Sequence, residues 1–173
     1  MSDKSVNEAA PVSFGQKLAS SQTFAVLFRE GMGLVEETAA YLDGPGRQQS
    51  KTLERAAALV YATESMRLTT RLMQLASWLL LHRAVNEGEM SLAQANKEKT
   101  KVKLSSSEAT DEDAAKLLPA RLKELIEQSK TLLAKVRRLD ATIHAPVPDL
   151  STNRHPLDQQ IGLLRAAFER DGS

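Results

Sequence analysis

The chain has 173 residues, 42% of them hydrophobic and 4% aromatic, with no cysteine and a formal charge of +1. That length suits one ordinary domain with room for tails. The near-neutral charge gives no global field toward nucleic acid or an anionic membrane, and the lack of cysteine excludes disulfides, thiolate metal sites and cysteine nucleophiles.

Ala, Leu, Glu, Lys, Arg and Gln dominate, residues that lose little entropy in a helix, while strand formers never gather into alternating runs. The predicted fold class is all-α. Residues Met1 to Gly15 contain no apolar h-region, so no secretory signal is expected. The longest uncharged apolar run, Ala56 to Ala62, is far short of the roughly 20 residues a membrane span needs. A cytoplasmic location is expected.

Residues 1–19 are expected to form a flexible leader, and residues 20–143 a three-helix bundle domain. The first helix is predicted from about Ser20 to Leu42. Phe24, Leu27, Phe28, Gly31, Leu34, Val35, Thr38, Tyr41 and Leu42 recur at steps of three and four, one apolar face of an amphipathic helix. Within it, Gly31 suits a close approach to a second helix rather than a phosphate loop. Asp43-Gly44-Pro45-Gly46 should end the helix, with glycine in the left-handed C-terminal position.

A second, longer helix is predicted from about Arg47 to Asn86, ending at Gly88. Ala58, Tyr61, Ser65, Leu68, Leu72, Leu75 and Leu79 form one seam, and Leu59, Met66, Met73 and Leu80 form a second row spaced by seven. Two apolar rows exceed what one neighbouring helix needs. Either this helix is central in its bundle, or a second copy of the chain covers part of it. The row Leu59, Met66, Met73 and Leu80 is thus a candidate dimer or core seam.

Between Glu87 and Lys116 stand seven acids and five lysines with no aromatic residue. Ordering about 30 residues costs roughly 30–60 kcal/mol of backbone entropy. Met90, Leu92, Val102 and Leu104 could return only about 10 kcal/mol. A mobile linker is expected over 87–116, with one or two helical turns near Ser91 to Lys97. The basic run Lys97 to Lys103 reads as solvated linker rather than a nucleic-acid patch, since it lacks interleaved aromatics and acids follow it.

The third helix is predicted from about Leu118 to Thr142, with Leu118, Leu122, Leu125, Ser129, Leu132, Val136, Leu139 and Ile143 in a strict a/d pattern. A preceding turn should start near Asp111, helped by Thr110 and Asp113, and bend at Pro119. Residues 144–173 read as a disordered tail. It carries a short amphipathic stripe over 157–168, Leu157, Ile161, Leu164 and Phe168, suited to folding against a partner's groove. A ten-residue tether such as Ala145 to Arg154 reaches roughly 17 Å.

No metal site, cofactor site or catalytic motif is legible. His82 is expected at the surface or as a cap near the end of the second helix, and His144 and His155 in the tail. The most informative local feature is a polar strip on the second helix: Glu64, Arg67, Arg71 and Gln74, in line with Val60 and Trp78. It is either an intramolecular ion-pair row, Glu64 with Arg67 and Glu36 or Glu37, or a protein-binding face in which arginine neighbours an exposed tryptophan. A small helical enzyme acting on an anionic metabolite would instead need a concave arginine-lined pocket inside the bundle. A DNA-associated regulator would need binding that falls steeply with salt.

The segment Glu64 to Val85, ESMRLTTRLMQLASWLLLHRAV, together with Phe28-Arg29-Glu30-Gly31-Met32 and Glu36 to Gly44, resembles the RcdA family, regulators of CtrA degradation. The resemblance is strong from about Phe24 to Ser91 and weaker over the third helix. It implies a homodimeric three-helix bundle with no enzymatic activity or cofactor, acting as an adaptor in cell-cycle-controlled proteolysis. The implied partners are the ClpXP protease through ClpX, the response regulator CpdR and proteolysis substrates such as CtrA, at the cell pole.

Overall fold

A computed structural model describes residues 21–99 and 111–145. Among them are six helices and no strand. The helices are α1 (Gln22–Asp43), α2 (Pro45–Thr52), α3 (Arg55–Asn86), α4 (Leu92–Lys99), α5 (Glu112–Ala115) and α6 (Ala120–Ile143). The leader, the middle of the linker (100–110) and the tail with its Leu157 to Phe168 stripe lie outside the described residues, as do Thr110 and His155.

The long helices α1, α3 and α6 pack on one another, each contributing the face its periodicity marks. From α1 come Phe24, Leu27, Gly31, Leu34, Thr38 and Tyr41. From α6 come Leu122, Leu125, Ile126, Ser129, Leu132, Leu133, Val136, Leu139 and Ile143. Gly31 is where α1 presses on α3: a Cβ there would lie 2.4 Å from Leu79 Cδ1, so a larger residue would force that leucine side chain to shift. Ion pairs rim the α1–α6 contact, Lys135 with Glu30 at 2.8 Å and Arg121 with Glu37 and Glu124. Glu37 therefore pairs with the third long helix and not with the polar strip.

Two boundaries differ from expectation. Gly44 is not left-handed (φ −109°). Pro45 instead opens α2 directly, its fixed φ suiting a first helical position. The predicted Arg47–Asn86 helix is also broken at Leu53, which is extended. The Ser50 and Thr52 hydroxyls donate to the Arg47 and Gln49 carbonyls, competing with helix continuation. The break folds α2 back, so that Tyr41 donates to Gln49 Oε1 at 2.8 Å and Leu53 packs on the core. Tertiary contacts here override a segment with no glycine or proline to announce a stop.

The start of the predicted linker is a two-turn helix, α4, whose Ala95 is buried against α3. Asp111 caps α5 by accepting from the Asp113 backbone N–H, and the chain bends at Pro119 into α6. No helix among the described residues is long and apolar enough to cross a membrane.

Candidate functional site

α3 presents two faces of opposite character. Its inner face buries Ala57, Glu64, Arg71 and Trp78 in one row spaced by seven, and Tyr61, Leu68, Leu75 and His82 in another. The outer row Leu59, Met66, Met73 and Leu80 is 71%, 71%, 66% and 49% exposed. It is not a core seam. The charged residues between Leu59 and Leu80 are Glu64, Arg67 and Arg71, and none falls in that row. Thr63, Thr69 and Ser77 donate their hydroxyls to the Leu59, Ser65 and Met73 carbonyls, which satisfies those groups within the helix. At 1.5 Å per residue the row is roughly 32 Å long. Beside it lies a groove of about 270 Å³ lined by Val35, Leu42, Leu72, Met73 and Ala76.

The polar strip lies mainly inside. Glu64 is 3% exposed and Arg71 4%. Arg67 reaches back to Glu64 at 2.8 Å, the expected intramolecular pair. Arg71 donates to Ser129 Oγ at 2.8 Å, and Ser129 in turn donates to the Ile126 carbonyl. Burial lowers the Arg71 pKa, against the raising effect of Glu64 and Glu127. The expected exposed tryptophan is overturned: Trp78 is fully buried. Its indole N–H donates to Asp140 Oδ1 at 2.8 Å. Of the five strip residues, only Arg67 and Gln74 reach the surface, each half-buried.

At the far end of α3 a compact polar cluster replaces two further expectations. His82 is 1% exposed, not a surface or cap residue, and stacks on Trp78 with centroids 3.9 Å apart. α4 and the end of α6 close over it, which the mobile-linker expectation left out. His144 belongs to the bundle, not the tail. It is the C-cap residue of α6, its Nδ1 2.8 Å from the Asp140 carbonyl oxygen and its Nε2 facing Asn96 of α4. Burial pushes the Asp140 carboxyl up, but hydrogen bonds from Lys99 and Trp78 outweigh this and hold it below its ordinary value. Lys99 Nζ lies 2.5 Å from Asp140 Oδ2.

Burial holds the His82 pKa below its ordinary value, with the Trp78 carbonyl and Asp140 opposing, and His144 and Lys99 reinforcing. The unfolded chain therefore binds the proton more readily. His82 contributes stability that is full above its unfolded pKa, near 6.5, and is lost as pH falls toward the folded value. The expected result is an unfolding free energy that declines below about pH 6.5, by up to about 1.4 kcal/mol per pH unit, read as a falling melting temperature. A His82→Gln variant should show a flatter profile in the same thermal melts, and an unchanged slope would refute the assignment.

The described cavities are open grooves along the long helices. One of about 950 Å³ runs between α1 and α6, lined by Arg29, Glu30, Glu36, Glu37 and Glu127 among others. Four carboxylates against one arginine is the wrong sign for an anionic metabolite. Another of about 590 Å³ is lined by Phe24, Phe28, Met32 and Arg83, the last 5.0 Å from the Phe28 ring.

The all-helical fold agrees with the comparisons to known proteins. The family model described as protein of unknown function (DUF1465) matches residues 15–168, and the chain belongs to that family. Among solved structures it is similar to RcdA from Caulobacter crescentus CB15, with 51% identity, a TM-score of 0.62, and coverage of 76% of this chain and 99% of that one. No curated protein matches the chain.

Proposed function

We propose that the chain is a non-catalytic adaptor in regulated proteolysis, working as a cytoplasmic homodimer recruited to the cell pole. The observation that carries a protein-binding role is the outer row Leu59, Met66, Met73 and Leu80, exposed on a bundle whose inner faces are already filled. Such a patch on one chain is a surface for association, and the likeness to RcdA favours regulated proteolysis among protein-binding roles. In this scheme the outer row joins two copies. The half-buried edge at Arg67 and Gln74 touches one partner, and the stripe Leu157, Ile161, Leu164 and Phe168 holds another. The partners are ClpX of the ClpXP protease, the response regulator CpdR, and substrates such as CtrA. A short tether raises the local concentration of weakly held cargo into roughly the millimolar range. Glu64, Arg71 and Trp78 support this edge from within without touching the partner.

The test is capture by a trapped ClpXP complex in the presence of CpdR and CtrA. The full chain should be captured and should speed CtrA turnover. A chain ending at Ala145 should melt at nearly the same temperature yet lose delivery. Arg67→Ala should reduce capture with the fold intact. Delivery unaffected by both changes would remove the scheme.

A further inference from the structure

We propose that His82, Asp140 and His144 form a site for a first-row transition-metal dication of the zinc class, at the end of the bundle where α6 stops. This does not depend on the adaptor role. One ligand atom from each residue lies within 4.8 Å of the other two, and this is the group of its kind among the described residues. Asp140 and His144 are one helical turn apart on α6, so they face the same way. His82 meets them from α3.

Two imidazoles and one carboxylate are a donor set that zinc accepts, and a poor one for magnesium or calcium, which want oxygen throughout. The hydrogen bonds around His82 set the tautomer that ligation needs. His82 Nδ1 lies 3.0 Å from the Trp78 carbonyl oxygen and donates to it. That leaves Nε2 as a bare lone pair, and this buried nitrogen has no hydrogen-bond partner. His144 Nε2 faces Asn96 Oδ1, and ligation requires the ring proton to sit on this nitrogen. Its Nδ1 then points at oxygen on two sides, the Asp140 carbonyl at 2.8 Å and Asp140 Oδ1 at 3.3 Å. With the proton on Nε2, Nδ1 offers its lone pair on the side where the Asp140 carboxylate lies, so one cation can be shared by the two groups. A carbonyl or amide oxygen behind each ring is the outer-shell arrangement that orients ligating histidines.

The spacing fits. Metal–ligand bonds of 2.0–2.2 Å in a tetrahedron put neighbouring donors about 3.3 Å apart, the separation His144 Nδ1 and Asp140 Oδ1 already have. The His82 donor lies within 4.8 Å of the other two and must close on them as the ion binds. Asp140 already holds one cation, the Lys99 ammonium at 2.5 Å. Lys99 ends α4 and its side chain is 25% exposed, so its ammonium, on Oδ2, competes with a dication for the charge of this carboxylate. Bound metal would tie α3 to α6 beside Ala145, the point from which residues 146–173 depart.

The experiment uses the full chain, stripped with chelator and held at pH 7.5. Zinc chloride is titrated by calorimetry, and cobalt(II) by visible absorption and by quenching of Trp78, the single tryptophan. The expected result is one ion per chain, a four-coordinate cobalt spectrum and loss of Trp78 emission. At zinc one hundred times the dissociation constant the folding equilibrium shifts about 100-fold, read as a melting temperature higher by about 5–10 °C. His144→Asn should weaken binding at least tenfold, Lys99→Met should tighten it, and His155→Asn should leave it unchanged. His82→Gln should also lose binding, and if that variant fails to fold, His144→Asn and Lys99→Met decide. No saturable ion on the wild-type chain would overturn the site. So would binding that survives His144→Asn, or weakens in Lys99→Met, and His144 Nδ1 would then carry a proton in place of a metal.

Discussion

Replacing Trp78 with alanine should cost about 4 kcal/mol of stability, the range for emptying a fully buried large aromatic site. For a chain of this size that lowers the melting temperature by about 8–16 °C. Three losses combine. The indole fills the core between α1 and α6, tilted against Phe24 at 6.3 Å. It also covers one face of His82, and its N–H satisfies an Asp140 oxygen. Trp78→Phe keeps most of the packing and loses the N–H bond, so it should cost about 1–2 kcal/mol. Urea melts followed by circular dichroism measure both. If Trp78→Ala melts like the parent but fails to capture ClpXP, the tryptophan is a docking residue after all, and its place in the core is wrong.

That contrast shows where sequence reasoning reaches its limit. The inner faces of α1 and α6 were legible because one apolar stripe per helix maps directly onto burial. Phe24, Leu27, Leu34 and Tyr41 fall inward, as does the whole Leu118 to Ile143 pattern. α3 has more than one stripe, and periodicity cannot say which one neighbours will cover. Charge then misled. Glu64 and Arg71 share a seven-residue register with Trp78, and polar residues in that register suggested water. What settles Arg71 and Trp78 inside is long-range: Ser129, 58 residues from Arg71, and Asp140, 62 residues from Trp78, supply partners that no local window contains. The same distance hid the cluster at His82. Its ring is enclosed by α4, a segment whose composition alone returns too little free energy to order it, and by the last turn of α6. The usable signal was the Asp140–His144 spacing of one turn, which acquires meaning only once α3 is known to end beside it.

If the outer row joins two copies as proposed, converting it to charge should separate them while leaving each chain folded. Met66 and Met73 are 71% and 66% exposed in the single chain, so Met66→Asp with Met73→Asp removes little from its core. In a symmetric pair every substitution counts twice, because the same patch serves both partners. Four methionine side chains at about 1.5 kcal/mol each come to about 6 kcal/mol, roughly ten-thousandfold in dissociation constant, before any repulsion between four new carboxylates. Light scattering at tens of micromolar should therefore find the parent at twice the chain mass and the variant at one chain mass, with melting temperatures within a few degrees. A second copy is the occupant this face favours because the row is uncharged along roughly 32 Å. A foreign helix would find no charge there to set its register, whereas two identical stripes match by symmetry. A parent that sediments as a monomer, or a variant that stays dimeric, would move self-association off this face. The outer row would then be free for a partner of another kind.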